Sequence, residues 1–139
     1  MSYLSVKQLA HYLLYPESLS KLPIEKWEPL LLVFRESKLL ASLHHLLIKH
    51  DLFDEQPDYA KRHLQSAFVH AERQRRQVIF ECQTLNQLLS EINVVPIYLK
   101  GANYILRESE NSWGRIVSVF DFLVPKSEIN QVERLLKNN

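Results

Sequence analysis

The stretch Gly114-Arg115-Ile116-Val117-Ser118-Val119-Phe120-Asp121-Phe122-Leu123-Val124-Pro125 decides how this chain is read. Here β-branched and aromatic residues alternate around a single carboxylate. Residues two apart share one face of a strand, so Val119, Asp121 and Leu123 point one way and Phe120, Phe122 and Val124 the other. The second face reads as core. A strand is expected from about Ile116 to Val124, with Pro125 ending it. Asp121 stands mid-strand among apolar neighbours, where burying a carboxylate is expensive unless a cation or hydrogen bonds compensate it. A metal ion or the Arg115 guanidinium are the candidate partners.

Working outward, Val94-Val95-Pro96-Ile97-Tyr98-Leu99 is short, β-branched and aromatic, and reads as another strand. Gly101 follows, then a helix of roughly ten residues, Ala102 to Glu110, and a turn over Asn111 to Gly114. Lys100 and Gly101 thus stand where a strand turns into a helix. Backbone N–H groups at such a junction attract anions, and Lys100 adds a positive charge. Beyond Pro125, Ser127 is a candidate cap for a last helix through Leu136. The order helix, strand, helix, strand, helix points to an α/β or α+β unit. Two strands alone make a poor sheet, so the chain is expected to stop in the middle of a domain.

The residues before Val94 read as a helical array. Ser5 caps a predicted helix to about Tyr15, with Leu9, Tyr12 and Leu13 on one face. Trp27, Leu30, Leu31 and Phe34 mark a second helix, whose start is expected near Glu28 because Pro29 fits best in a first turn. Leu40, Leu43, Leu47 and Ile48 mark a third, about Ser37 to His50. From Asp58 to Ile92 one long helix is predicted, with Leu64, Ala67, Ala71, Val78, Cys82, Leu85, Leu89 and Ile92 at steps of three, four or seven. Its apolar seam weakens at Glu72-Arg73-Gln74-Arg75-Arg76-Gln77. That basic knot reads first as a solvated helix face, and second as a contact for RNA phosphates. The expected organisation is therefore α+β: a helical region over residues 1–92 and an incomplete α/β unit over 93–139.

Composition narrows the function classes. The chain is 46% hydrophobic and 24% charged, an ordinary globular balance, and its net charge of +1 argues for no nucleic-acid or membrane field. Two glycines in 139 residues leave no room for a Gly-rich nucleotide loop of the P-loop or dinucleotide type. The lone Cys82 and the absence of a signal-peptide pattern at the N-terminus fit a reduced, cytoplasmic compartment, and no apolar run approaches the roughly 20 residues that span a bilayer. No histidine has an i, i+4 histidine partner, so a helical zinc pair is not expected.

Ile97-Tyr98-Leu99-Lys100-Gly101-Ala102, then a helix, then Gly114-Arg115 and Ser118-x-x-Asp121-Phe122-Leu123-Val124 resemble the uncharacterised nucleotidyltransferase family of the DNA polymerase β-like superfamily. That family shows a strand ending in Leu-Lys-Gly, a short helix, and an Arg-x-x-(Ser/Gly)-Asp-x-Asp-x-Leu-Val strand, preceded by a similar helical lead-in. The resemblance implies the start of a polymerase β-like sheet and transfer of a nucleotide from an NTP to an acceptor that the sequence does not name. By position, Lys100 and Gly101 would bind substrate phosphate, Asp121 would be the catalytic metal ligand for Mg²⁺, and Arg115 and Ser118 would support the substrate site.

The chain departs from this pattern in two places. Val119 stands where the first aspartate belongs, and valine neither ligates a metal nor accepts a proton. The sequence also ends at Asn139, ahead of the strand from which superfamily members draw a third carboxylate. Metal-dependent transfer is therefore expected to be impaired. The rival reading is a non-catalytic module in which the helical array binds a partner, with an RNA adaptor using Arg73, Arg75 and Arg76 as a third.

Overall fold

A computed structural model describes residues 5–117 and 121–138. The chain divides into two compact units: one of residues Met1–Arg73 and Trp113–Ile116, the other of Gln74–Ser112 and Val117–Asn139.

The first unit is helical. Helix α1 (Val6–Leu14) opens with a capping box: the Gln8 N–H donates to Ser5 Oγ at 3.2 Å and the Ser5 N–H donates to Gln8 Oε1 at 2.8 Å. Helices α2 (Ile24–Glu36) and α3 (Leu40–Lys49) follow. Their apolar faces meet around Trp27, Leu30, Phe34, Leu43 and Leu47, with Leu64 packed against them from α4 (Asp58–Ser90). Two sequence expectations are corrected here. Pro29 lies inside α2 rather than in its first turn. The carbonyl that loses its partner is that of Glu25, an exposed residue that water can serve. Ile48 is 52% exposed, because the core-facing stripe of α3 runs through Leu40, Leu43 and Leu47.

Helix α4 is continuous over 33 residues. Its buried positions are Ala60, Leu64, Ala71, Arg75, Val78, Cys82, Leu85 and Leu89. From Leu64 onward they follow alternating steps that repeat every seven residues, the seam of a packed helix. The predicted "weak" stretch is thus no gap, since Arg75 occupies a seam position.

In the second unit, β1 (Ile97–Leu99) and β2 (Asp121–Leu123) form an antiparallel pair in the register Ile97↔Leu123, Tyr98↔Phe122, Leu99↔Asp121. Tyr98 and Phe122 face a cluster formed by Leu85 and Leu89 of α4, Val94, and Val132 of α6 (Ile129–Lys137). A second cluster joins Val78 and Cys82 to Ala102 and Ile105 of α5 (Lys100–Leu106) and to Val117. The expected strand from Ile116 is shorter among the described residues. Ile116 belongs to the first unit, Ser118, Val119 and Phe120 lie outside the described residues, and the paired part is Asp121–Leu123. Ser127 is not a helix cap: it sits in a 3₁₀ turn (Lys126–Glu128) that leads into α6, and the position before α6 is Glu128.

Helix ends show how a chain with two glycines terminates its helices. Lys38, Asp51, Asn93 and Glu108 all take positive φ, between 52° and 59°. Each is followed by a backbone bond that closes the helix end: Leu39 N–H to Phe34 O, Leu52 N–H to Leu47 O, Val94 N–H to Leu89 O, and Ser109 N–H to Tyr104 O. These are Schellman closures built without glycine at the left-handed position. They also explain why α3 starts at Leu40 rather than Ser37. Gly114, at φ 75°, is different. A Cβ there would stand 2.5 Å from the backbone carbon of Ala41 and the backbone nitrogen of Ser42. Residues 113–116 therefore lie directly against α3, within the first unit.

Candidate functional site

The register of the two strands builds the site. Because Leu99 pairs with Asp121, the next residue, Lys100, comes alongside the carboxylate, and Lys100 Nζ lies 3.0 Å from Asp121 Oδ2. Lys100 itself has φ 54°. Of the left-handed non-glycine residues described, it is the one that starts a helix rather than ending one. The conformation is costly for a side chain with a Cβ, by roughly 1 kcal/mol or more. It is taken by Lys100 at the junction with α5, and Gly101 behind it is buried.

The pair faces solvent: the side chains of Lys100 and Asp121 are 77% and 51% exposed. The expectation of an inward carboxylate is therefore corrected. Of the two faces of the strand pair, the one bearing Tyr98 and Phe122 is covered, whereas Ile97 and Leu123, opposite each other on the face of Asp121, are 62% and 52% exposed. No desolvation cost has to be offset at Asp121. The cation beside it is Lys100, which the sequence reading had not named as its partner. A solvent-exposed pair of this kind contributes at most about 1 kcal/mol.

Beneath the pair, β1 is pinned to α4. The Tyr98 hydroxyl lies 2.9 Å from the Cys82 carbonyl oxygen and 2.8 Å from the Asn86 side-chain amide. Burial pushes the Tyr98 phenol up to about 12, with nearby Cys82 adding to the effect. Burial also raises the Cys82 thiol, against an opposing hydrogen bond from Tyr98. Both shifts favour the neutral forms, and Cys82 is buried.

Of the residues singled out from sequence, Lys100, Gly101 and Asp121 fall together in the second unit. Arg115 is exposed and belongs to the first, and Ser118 lies outside the described residues. Arg75 was missed. It is buried, with Nη1 donating to Ser112 Oγ at 3.1 Å and Nη2 to the Ile105 carbonyl at 3.4 Å. It ties α4 to the end of α5 and the turn beyond, and is not part of a solvated basic face for RNA. The signal that would have found it is its place four residues after Ala71 and three before Val78.

The donor set does not fit a divalent metal. Asp121 is a single carboxylate held by an ammonium group, and among the described residues no three His, Cys, Asp or Glu side chains converge to hold a metal ion. The valine side chain at position 119, which lies outside the described residues, carries no ligand atom. Also among the described residues, no helix is long and apolar enough to cross a membrane.

The described site is thus a strand that ends in a Lys-Gly junction, with an antiparallel partner that sets a carboxylate against the lysine. The chain belongs to the uncharacterised nucleotidyltransferase family, whose model it matches over residues 23–139. No curated protein and no solved structure matches it.

Proposed function

We propose that this chain is a nucleotidyltransferase-like protein that receives the phosphates of an NTP at Lys100 and is impaired in metal-dependent transfer. The observation that supports this is the 3.0 Å pair of Lys100 and Asp121 at the strand–helix junction. The ammonium offers phosphate oxygens a charge-assisted donor, and its exposure leaves it open to them. Lys100 itself, at φ 54°, makes the turn from β1 into α5, with buried Gly101 next in the helix. Asp121 is the one carboxylate of the family motif that this sequence keeps. Valine at position 119 removes the other, so two-carboxylate metal chemistry lacks half its ligands. Arg115 and Ser118 are assigned to the substrate site by the family motif alone.

The test is calorimetric titration of each of the four NTPs, with and without Mg²⁺, beside an assay for pyrophosphate release. The wild-type protein is expected to bind NTP, Lys100→Gln to weaken that binding, and wild-type turnover to stay at background. A wild-type chain that binds no NTP, or one that releases pyrophosphate in a Mg²⁺-dependent way as fast as Val119→Asp, sinks the reading.

A further inference from the structure

We infer that the first unit carries a separate binding pocket for a small phosphomonoester with an aromatic or apolar body. A hollow of about 330 Å³ lies where the end of α2, the start of α3 and the first half of α4 meet residues 113–116. Its size falls within the range of small-molecule sites. The apolar lining includes Ala41 and Ile116, and the polar lining is Arg35, Lys38, Ser66 and His70, with no carboxylate among the lining residues. Two fixed cations, an imidazole and a hydroxyl thus border one cavity without an internal counter-charge.

The four polar residues are exposed, and the fold holds the backbone of Lys38 and gives Arg35 a ring partner. Lys38 is the left-handed residue that closes α2, which fixes its backbone. Arg35 Nη2 lies 2.8 Å from His63 Nδ1. Guanidinium only donates, so Nδ1 accepts and the ring proton sits on Nε2. The His63 ring is itself packed edge-on to Tyr59, with centroids 4.7 Å apart. Ser66 and His70 are one turn apart on α4, and Arg73 follows in an adjoining hollow lined by the same two residues. Convergent Arg, Lys, imidazole and hydroxyl donors suit the several oxygens of a phosphate better than the two of a carboxylate. The apolar lining gives the rest of the ligand a surface to bury. None of these residues belongs to the Lys100–Asp121 site.

The experiment uses the whole chain and titrates AMP, phenyl phosphate, adenosine and inorganic phosphate by calorimetry, with thermal melts to establish folding of each variant. Both monoesters are expected to bind saturably, and adenosine to bind far more weakly. Lys38→Gln and His70→Gln should each weaken the monoesters by about tenfold, the loss of one charge-assisted contact. Loss of phenyl phosphate binding in Lys100→Gln would place the ligand at the NTP site and overturn the inference. Absence of saturable monoester binding overturns the inference, as does unchanged affinity in folded Lys38→Gln and His70→Gln. An RNA oligomer without terminal phosphate that outcompetes the monoesters would assign the cations to a nucleic-acid backbone instead.

Discussion

Lys100 Nζ and Asp121 Oδ2 stand 3.0 Å apart because Asp121 is the register partner of Leu99, the residue before the lysine. This relationship yields a prediction of sign. If Asp121 mainly competes with substrate phosphate for the ammonium, Asp121→Asn tightens metal-free NTP binding, by about fivefold for a pair worth about 1 kcal/mol. Weaker binding in Asp121→Asn, with or without Mg²⁺, would contradict this competition. Titration of NTP with and without Mg²⁺ reads both directions.

Arg75 should prove structural. Arg75→Ala removes a buried side chain and its bonds to Ser112 Oγ and the Ile105 carbonyl, which keep their bonds to Ser109 O and from Glu108 N–H, at a cost of about 2 kcal/mol. Denaturant unfolding checks this, and a loss below about 0.5 kcal/mol would contradict it. Arg76→Ala, on an exposed position, should leave stability within about 0.5 kcal/mol of the parent.

Gly114 has no room for a side chain. Its φ of 75° and the 2.5 Å approach of an added Cβ to the α3 backbone predict that Gly114→Ala destabilises by about 3 kcal/mol. The neighbouring obstacle is main chain, so no side chain can swing aside. A thermal melt that shifts by less than a degree or two would show that residues 113–116 can lift away from α3 at little cost.

His44 makes the first unit sensitive to acid. Its ring is stacked on Phe68, with centroids 4.5 Å apart, and lies edge-on to Phe53. Burial first, and the neighbouring His45 second, lower its pKa from 6.5. The native state then holds His44 neutral at pH values where the unfolded chain has begun to protonate it. Its contribution is fully present above 6.5 and is lost as pH falls through that value toward the lowered native one. His44→Leu should flatten the dependence of unfolding free energy on pH between about 7 and 5. An unchanged slope would locate the acid sensitivity elsewhere.

Helical periodicity was legible because a 3.6-residue repeat needs only local sequence, and the core residues Trp27, Leu30, Phe34, Leu43 and Leu47 fall where it puts them. The strand pair was legible in kind, since alternation around Tyr98 and Phe122 picks out the covered face. What alternation does not carry is whether the opposite face is also covered. Asp121 was therefore read as buried although its side chain is half exposed. Nor does local sequence name a charge partner across strands: Lys100 and Asp121 meet only through the register. Arg75 was hidden for a related reason, since arginine is rarely buried unless paired and its acceptors lie 30 and 37 residues further on. Proline in α2 misled because its cost depends on whether the orphaned carbonyl reaches water.

The return of residues 113–116 to the first unit has a consequence for the order of events during synthesis. Helices α1 to α3 emerge from the ribosome early, and their apolar faces can begin to collapse at once. The groove on α3 that receives Gly114 stays open until the chain has passed residue 116, by which time all of α4 and α5 are made. A fragment cut after Arg73 would carry three complete helices and an unfilled seat on α3. Such a fragment is the natural form in which to look for chaperone binding, because it exposes a surface that the finished protein covers with its own later sequence.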